Sequence, residues 1–126
     1  MIRYTYVSQL QPPAPFVQVQ LHNPVTGNDL RDVPAQVDTA ADQTLIPESV
    51  VQNLGLPQLG TATIAGVGGV QQVLPTYPLQ LAIHNLPALT IEVLASSGEP
   101  WVLLGREILN AYRVLLDGPQ LGLEIG

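Results

Sequence analysis

An alternation of apolar and polar residues with a period of two runs through much of the chain, and this pattern is typical of β-strands with one buried face. It is clearest in FVQVQLHN, where Val17, Val19 and Leu21 alternate with glutamines. Further β-rich segments predict a long hairpin around AGVGG, two single strands and a closing pair of short strands. These segments are LGTATIAGVGGVQQVLPTYPLQLAI, LTIEVLA, EPWVLLG and YRVLLDGPQLGLEI.

Two short helices complete the predicted elements. In PESVVQNLGLP, Pro47 and Glu48 suit a first helical turn, and Gly55 is a good stop. The segment REILNAY predicts one or two further helical turns. Together these elements predict a mostly β domain of many short strands with two short helices.

The length of 126 residues and the hydrophobic fraction of 46% predict a single domain over residues 1–126 with a real core. Residues 1–15 are the weakest part of this pattern, and we expect a loosely ordered N-terminal arm there. Because a chain this short leaves much of its surface exposed, association with another copy would stabilise it.

Charge and composition narrow the classes of partner. Four basic and ten acidic residues give a net charge of −6, with no basic cluster to neutralise phosphates. This argues against nucleic acid and against an anionic membrane surface as partners. The absence of cysteine excludes disulfides and thiolate catalysis. No apolar run has the length of a signal peptide or a membrane helix, so we expect a cytoplasmic protein, although a piece of a longer polyprotein would have the same pattern.

The segment VDTAADQTLIP, residues 37–47, concentrates carboxylates where the pattern otherwise predicts a core. Only 11% of the residues are charged, yet Asp38 and Asp42 both lie here among small and apolar residues. Small residues leave room for a ligand beside a carboxylate. A structural alternative is open for Asp38, because an aspartate at the end of a strand often accepts a hydrogen bond from the backbone that follows it.

Three elements in order carry a family resemblance: VDTAADQTLIP, the glycine-tipped IAGVGGV and the helix-opening VLLGREIL. With this trio the chain resembles the retropepsins, the retroviral-type aspartic proteases, over residues 37–109. The helix after the first element and the C-terminal tail look more like bacterial or cellular members. The resemblance implies a small closed β-barrel of the acid-protease type, with its active site at a homodimer interface.

The resemblance implies that Asp38 is catalytic. Two like charges about 3 Å apart cannot both ionise, so two carboxylates share one proton and activate a water between them. The chain has one copy of the motif, and the second Asp38 must therefore come from another chain. Thr39 would brace the two site loops across the dimer. Ala40 departs from the family, which has glycine at this position, and alanine disfavours a positive φ.

The resemblance also assigns a substrate-binding set and an ion pair. Asp42 would hold the substrate backbone and pair with Arg106, whose planar guanidinium group can donate two hydrogen bonds to a carboxylate. The alternatives are a loop-capping carboxylate and a solvated residue at a helix start. Residues 66–69 would form a flap with Val67 at its tip, or an ordinary hairpin turn. The full substrate-binding set is Ala41, Asp42, Gly66, Val67, Gly68 and Leu103, with plain core as the alternative for Leu103.

The predicted function is an aspartic endopeptidase that hydrolyses extended polypeptides as a homodimer, without a metal or cofactor. His22 and His84 have no neighbours with metal-ligand spacing, and we interpret both as surface or strand residues. One alternative is a dimerising peptide-binding or scaffold module of the same fold with weak or no catalysis, which Ala40 favours. A weaker alternative is a generic β-barrel binder in which the motif is a coincidence.

Overall fold

The protein, described over residues 1–126 by a computed structural model, consists of ten strands and two short helices. The strands are β1 (Ile2–Thr5), β2 (Phe16–His22), β3 (Asp29–Val37), β4 (Leu45–Pro47), β5 (Gly60–Ala65), β6 (Gln71–Ile83), β7 (Leu89–Ser96), β8 (Val102–Leu104), β9 (Val114–Asp117) and β10 (Gly122–Ile125). The helices are α1 (Glu48–Leu54) and α2 (Arg106–Leu109). The predicted mostly β fold is confirmed.

Six strands close into a barrel in the order β2, β3, β8, β4, β7 and β6, with β6 pairing back onto β2. Val17, Val19 and Leu21, the apolar positions of the alternating segment, point into the barrel and are buried. They belong to one cluster of 20 buried residues. Because burying a Val, Leu or Ile side chain contributes about 1.5–3 kcal/mol, this shared core stabilises the strands together.

Parallel pairing brings two distant segments to the same edge of the barrel. β3 pairs in parallel with β8, with Val37 opposite Leu104, and β4 pairs in parallel with β7. Since β3 and β8 run side by side in one direction, the segments that begin at Asp38 and Gly105 leave the sheet next to each other. Two of the three segments of the family resemblance therefore meet in space.

Both helices are short and depend on packing. α1 follows Pro47 and ends at Gly55, whose φ of 64° is the left-handed conformation that favours glycine. A helix of seven residues is unstable alone, so the burial of Val50 and Leu54 stabilises it. α2 covers only the first part of REILNAY. Neither helix has the length and apolar character needed to cross a membrane.

A second sheet of three strands has the order β1, β10, β9. β1 pairs with β10, with Ile2 opposite Ile125, so residues 2–5 of the expected loose arm form a strand instead. Ile2 and Tyr4 pack against the core. This strand was not anticipated because its partner β10 lies at the opposite end of the chain. β10 is paired on both sides, whereas β9 is paired only with β10 and keeps one free edge.

The predicted long hairpin around AGVGG is present as β5 and β6. β6 continues for 13 residues from the hairpin into the barrel wall, which connects the hairpin firmly to the barrel. At the tip, Gly68 and Gly69 have φ values of 77° and 76°, and this left-handed turn explains why glycines are needed there. The Val67 side chain between the strands is fully exposed.

Candidate active site

Asp38 begins the site loop, which we define as residues 38–44. Its backbone N–H donates to the carbonyl oxygen of Leu104 at 3.1 Å, which continues the pairing of β3 with β8. Its Oδ1 accepts a hydrogen bond from the N–H of Ala40 at 3.2 Å. The structural alternative for Asp38 is therefore present, and it leaves the second carboxylate oxygen without a hydrogen-bond partner within the chain. A half-buried carboxylate with one oriented and one open oxygen can hold a water.

Ala40 occupies the position where the retropepsin pattern has glycine. Its φ is not positive, because the non-glycine residues with positive φ are Asp32, His84 and Leu121. Alanine is thus accommodated without left-handed strain, and its effect is confined to the added methyl group. Thr39 beside it is exposed, and its hydroxyl makes no hydrogen bond within the chain.

Arg106 holds the first half of the site loop. Its Nη1 donates to the carbonyl oxygens of Thr39 at 3.0 Å and Ala40 at 3.3 Å, and its Nη2 donates to the Asp42 carboxylate. The expected pair of Arg106 and Asp42 is therefore present. The two side chains are 45% and 83% exposed, so the ion pair itself contributes only about 0–1 kcal/mol. Its main effect is to fix the direction of the loop.

The second half of the loop is held by contacts that the sequence analysis missed. Thr44 is fully buried, and both its N–H and its hydroxyl donate to the Glu107 carboxylate, at 2.7 and 2.6 Å. The Thr44 hydroxyl also accepts from the N–H of Gly105 at 3.0 Å. The backbone N–H of Arg106 donates to the carbonyl oxygen of Ala41 at 2.9 Å. Each residue from 104 to 107 therefore bonds to the site loop.

Gly105 is required at this junction by its close contacts. A Cβ atom built at Gly105 would lie 2.5 Å from the carbonyl carbon of Gln43 and 2.8 Å from the backbone nitrogen of Thr44. Both are backbone atoms that cannot move without displacing the loop. The glycine of the VLLGREIL segment is thus explained by the close approach of the site loop.

A groove of about 420 Å³ opens beside Asp38. Most of its lining is apolar, and the two carboxylates in it are those of Asp38 and Asp42. Leu103 is half-buried and forms part of the wall, whereas its neighbours Val102 and Leu104 are core residues. The lining residues are Asp38, Ala40, Ala41, Asp42, Gln43, Leu45, Thr63, Ile64, Ala65, Leu94 and Leu103. Leu45, Leu94, Thr63 and Ile64 were not anticipated from the sequence.

The hairpin reaches the groove through its strand rather than through its tip. Thr63, Ile64 and Ala65 of β5 line the groove, but Gly66, Val67 and Gly68 do not. Val67 projects into solvent. Within one chain the tip therefore does not contribute to the lining of the groove.

A larger hollow of about 550 Å³ lies elsewhere, on the outer face of β2, β3 and β6. His22 lies in it and pairs with Asp29, and His84 lies at its rim and is exposed. No group of three or more His, Asp or Glu side chains is arranged to hold a metal ion. We assign the candidate site to the smaller groove because it contains the carboxylate with an open oxygen and an ordered supporting network.

Several solved structures share the fold of this protein. A retropepsin-like aspartic protease from Rickettsia conorii matches with a TM-score of 0.64 at 14% identity, covering 97% of this chain and 86% of that chain. The EIAV protease complexed with the inhibitor HBY-793 matches with a TM-score of 0.61 at 20% identity, covering 78% of this chain and 86% of that chain. The retroviral protease-like domain of Ddi1 from Leishmania major matches with a TM-score of 0.50 at 14% identity, covering 87% of each chain. The fold is that of the retropepsin-like proteases.

A family model shows the membership directly. The model of the gag-polyprotein putative aspartyl protease matches residues 24–111, which is more than half of the chain. The chain belongs to this family of retropepsin-like aspartic proteases. No curated protein sequence matches it.

Proposed function

We propose that the protein is a homodimeric aspartic endopeptidase in which Asp38 of each chain activates one water. The observation that carries the proposal is the position of Asp38, half-buried beside an apolar groove with one carboxylate oxygen that has no hydrogen-bond partner within the chain. The bonds from residues 104–107 hold the loop that carries it.

The chemistry needs two carboxylates and a water. In aspartic proteases two carboxylates about 3 Å apart share one proton. The ionised carboxylate takes a proton from the water, whose oxygen attacks the peptide carbonyl carbon, while the protonated carboxyl donates to the carbonyl oxygen. Collapse of the tetrahedral intermediate breaks the C–N bond, and the amine leaves with a proton. The pair titrates as a unit, so its apparent pKa values belong to both residues.

Dimerisation follows from the single copy of Asp38. The other carboxylate in the groove, Asp42, is paired with Arg106 and lies four residues further along the loop, which makes it a positioning residue. The exposed Thr39 hydroxyl is available to brace the loop of a second copy. Leu115 and Leu116 on the free edge of β9 are 52% and 44% exposed, and pairing this edge with a second copy would cover them.

The groove suits an extended polypeptide with apolar side chains. Leu45, Leu94 and Leu103 provide apolar walls, and Ala40 and Ala41 form a floor with small side chains. An extended peptide can form β-type hydrogen bonds with such walls. The hairpin would close as a flap, with Val67 at its tip covering the substrate and excluding water.

Peptide cleavage by matched variants tests the proposal. The purified protein is incubated with a mixed peptide library between about pH 4 and 7, the range in which a shared carboxyl pair can work. Asp38→Asn is the test variant. Asp32→Asn is the control, because Asp32 lies on the opposite hollow and its left-handed φ is well tolerated by asparagine. We expect cleavage by the parent and by Asp32→Asn, and none by Asp38→Asn.

Equal cleavage by all three proteins would identify a contaminating protease and refute the proposal. Cleavage by none of them, together with saturable peptide binding, would support the alternative of a dimerising peptide-binding module. The absence of strain at Ala40 weakens the main reason for that alternative.

A further inference from the structure

Glu107 connects α2 to the end of the site loop that lies farthest from Asp38. Oε2 accepts from the Thr44 N–H at 2.7 Å, and Oε1 accepts from the Thr44 hydroxyl at 2.6 Å. The single O–H of Thr44 donates its hydrogen bond to Glu107. The hydroxyl oxygen therefore acts as the acceptor for the Gly105 N–H at 3.0 Å. The direction of every bond in this buried cluster is therefore determined.

The cluster needs a carboxylate of this length. An ionised carboxylate only accepts hydrogen bonds, and both of its oxygens face donors of Thr44. A glutamine at 107 would present its NH₂ group to one of these donors and lose that bond. An aspartate is one methylene shorter, so its carboxylate would lie farther from the two donors of Thr44. Since Thr44 is fully buried, a donor left unpaired there would stay unpaired.

The position of Thr44 decides what the cluster affects. Its neighbours in the chain, Gln43 and Leu45, both line the groove. Asp38 is held separately, by the bond from its N–H to Leu104 and by its contact with Ala40. A change at Glu107 therefore acts on the wall of the groove rather than on the catalytic carboxylate.

We infer that Glu107 is a positioning residue that sets the affinity of the groove for the substrate and has little influence on the chemical step. The inference rests on the proposed peptide-binding role of the groove. A residue that only stabilised the fold would change the melting temperature without changing affinity at a temperature where the protein is folded. A residue that oriented Asp38 would change kcat.

The first readout does not require catalysis. The Asp38→Asn protein is titrated against a fluorescein-labelled extended peptide with leucine at alternate positions, and the Kd is measured by fluorescence anisotropy. Adding Glu107→Gln should weaken binding about tenfold, because the wall of the groove loses one of the two bonds that fix Thr44 between Gln43 and Leu45. Adding Glu92→Gln should leave the Kd unchanged, because Glu92 is an exposed residue of β7. Circular dichroism at the same temperature verifies that each variant is folded.

The second readout separates binding from chemistry. In the Asp38-containing enzyme, Glu107→Gln should raise KM about tenfold with kcat within about threefold of the parent. Thr44→Val removes the hydroxyl contact with Glu107 and also the acceptor of the Gly105 N–H, so its effect should be at least as large. The double variant should be no worse than Thr44→Val alone, because the hydroxyl contact with Glu107 is already absent there. An unchanged Kd, or a fall in kcat with KM unchanged, would overturn the inference.

The two proposals fail in distinguishable ways. If the parent cleaves no peptide but Glu107→Gln weakens binding, the endopeptidase proposal fails and the inference about Glu107 stands. If the parent cleaves and Glu107→Gln matches it in Kd and KM, only the inference fails. If no peptide binds to the Asp38→Asn protein at any concentration tested, the inference is refuted.

Discussion

The backbone N–H of Ala40 donates to Oδ1 of Asp38 at 3.2 Å, so the residue that departs from the family pattern orients the candidate catalytic carboxylate through its backbone. This bond does not depend on the side chain of residue 40. Glycine and alanine would both form it, and they differ only by one methyl group exposed in the groove.

Replacing Ala40 with glycine should therefore increase activity. Without the methyl group the substrate backbone can approach the floor of the groove more closely, and we expect kcat/KM to rise by about two- to tenfold. The free energy of unfolding should fall by about 0.5–1 kcal/mol, because glycine has more freedom in the unfolded chain. Peptide-cleavage kinetics and urea denaturation measure the two effects. Ala88→Gly is the control, because Ala88 is exposed and lies on the opposite hollow, so we expect a similar loss of stability and no gain in kcat/KM. An unchanged or lower rate in Ala40→Gly would contradict the steric argument.

Replacing Arg106 with lysine should impair the site more than the fold. Lysine keeps the charge but has one donor group in place of the planar fork, and it cannot reach the Thr39 and Ala40 carbonyl oxygens and Asp42 together. We expect kcat/KM to fall at least about tenfold, with a loss of stability near 1 kcal/mol because these contacts are partly exposed. Arg31→Lys, on the opposite hollow, serves as the control. Full activity in Arg106→Lys would show that the fork is not needed.

Replacing Gly105 with alanine should displace the site loop. The added Cβ would lie 2.5 Å from the backbone of Gln43, and overpacking of this kind costs about 1–3 kcal/mol. Thermal unfolding should detect the loss, and peptide cleavage should fall with it. Gly118→Ala is a matched control, because it has open space around it and no positive φ, so its stability should stay within about 0.5 kcal/mol of the parent. Equal effects of the two substitutions would argue against the close packing described for residue 105.

Replacing Leu115 with arginine should separate the dimer. Two copies that pair their β9 edges would bring the two arginines close together, and like charges across an interface disfavour association. We expect the dimer Kd in analytical ultracentrifugation to rise about a hundredfold, with activity lost at low protein concentration and regained at high concentration. Leu59→Arg is the control, since Leu59 is similarly exposed, at 57%, on the loop before β5. If Leu115→Arg keeps the parent Kd, the dimer uses another surface.

Local signals predicted the local structure well. The alternation in FVQVQLHN predicted β2, and Pro47 and Gly55 predicted the ends of α1, because each signal depends on neighbouring residues only. The parallel pairing of β3 with β8 left no such signal, since it joins residues that are far apart in the chain. β1 was missed because its partner β10 lies at the opposite end of the chain, so no turn between paired strands marks it.

The residues of the candidate site were likewise predicted where a local motif marks them and missed where only a long-range contact does. Asp38, Asp42 and Arg106 were found because they lie in segments that resemble a known family. Thr44 and Glu107 were missed, because a glutamate in a first helical turn is already explained by its favourable interaction with the helix dipole. Its actual partner lies 63 residues earlier in the chain. Contacts of this kind become visible only when the fold is known.

Within one chain β10 is paired on both sides, so the three-stranded terminal sheet forms without a second copy even though the outer edge of β9 is unpaired. If the proposed dimer separates, each chain would therefore keep its fold and hold only one half of the carboxylate pair. Below the dimer Kd, peptide cleavage would then rise with the square of the protein concentration, with no unfolding on dilution. The activity of such a protease would increase when its local concentration increases, for example when its copies are attached to a component that assembles.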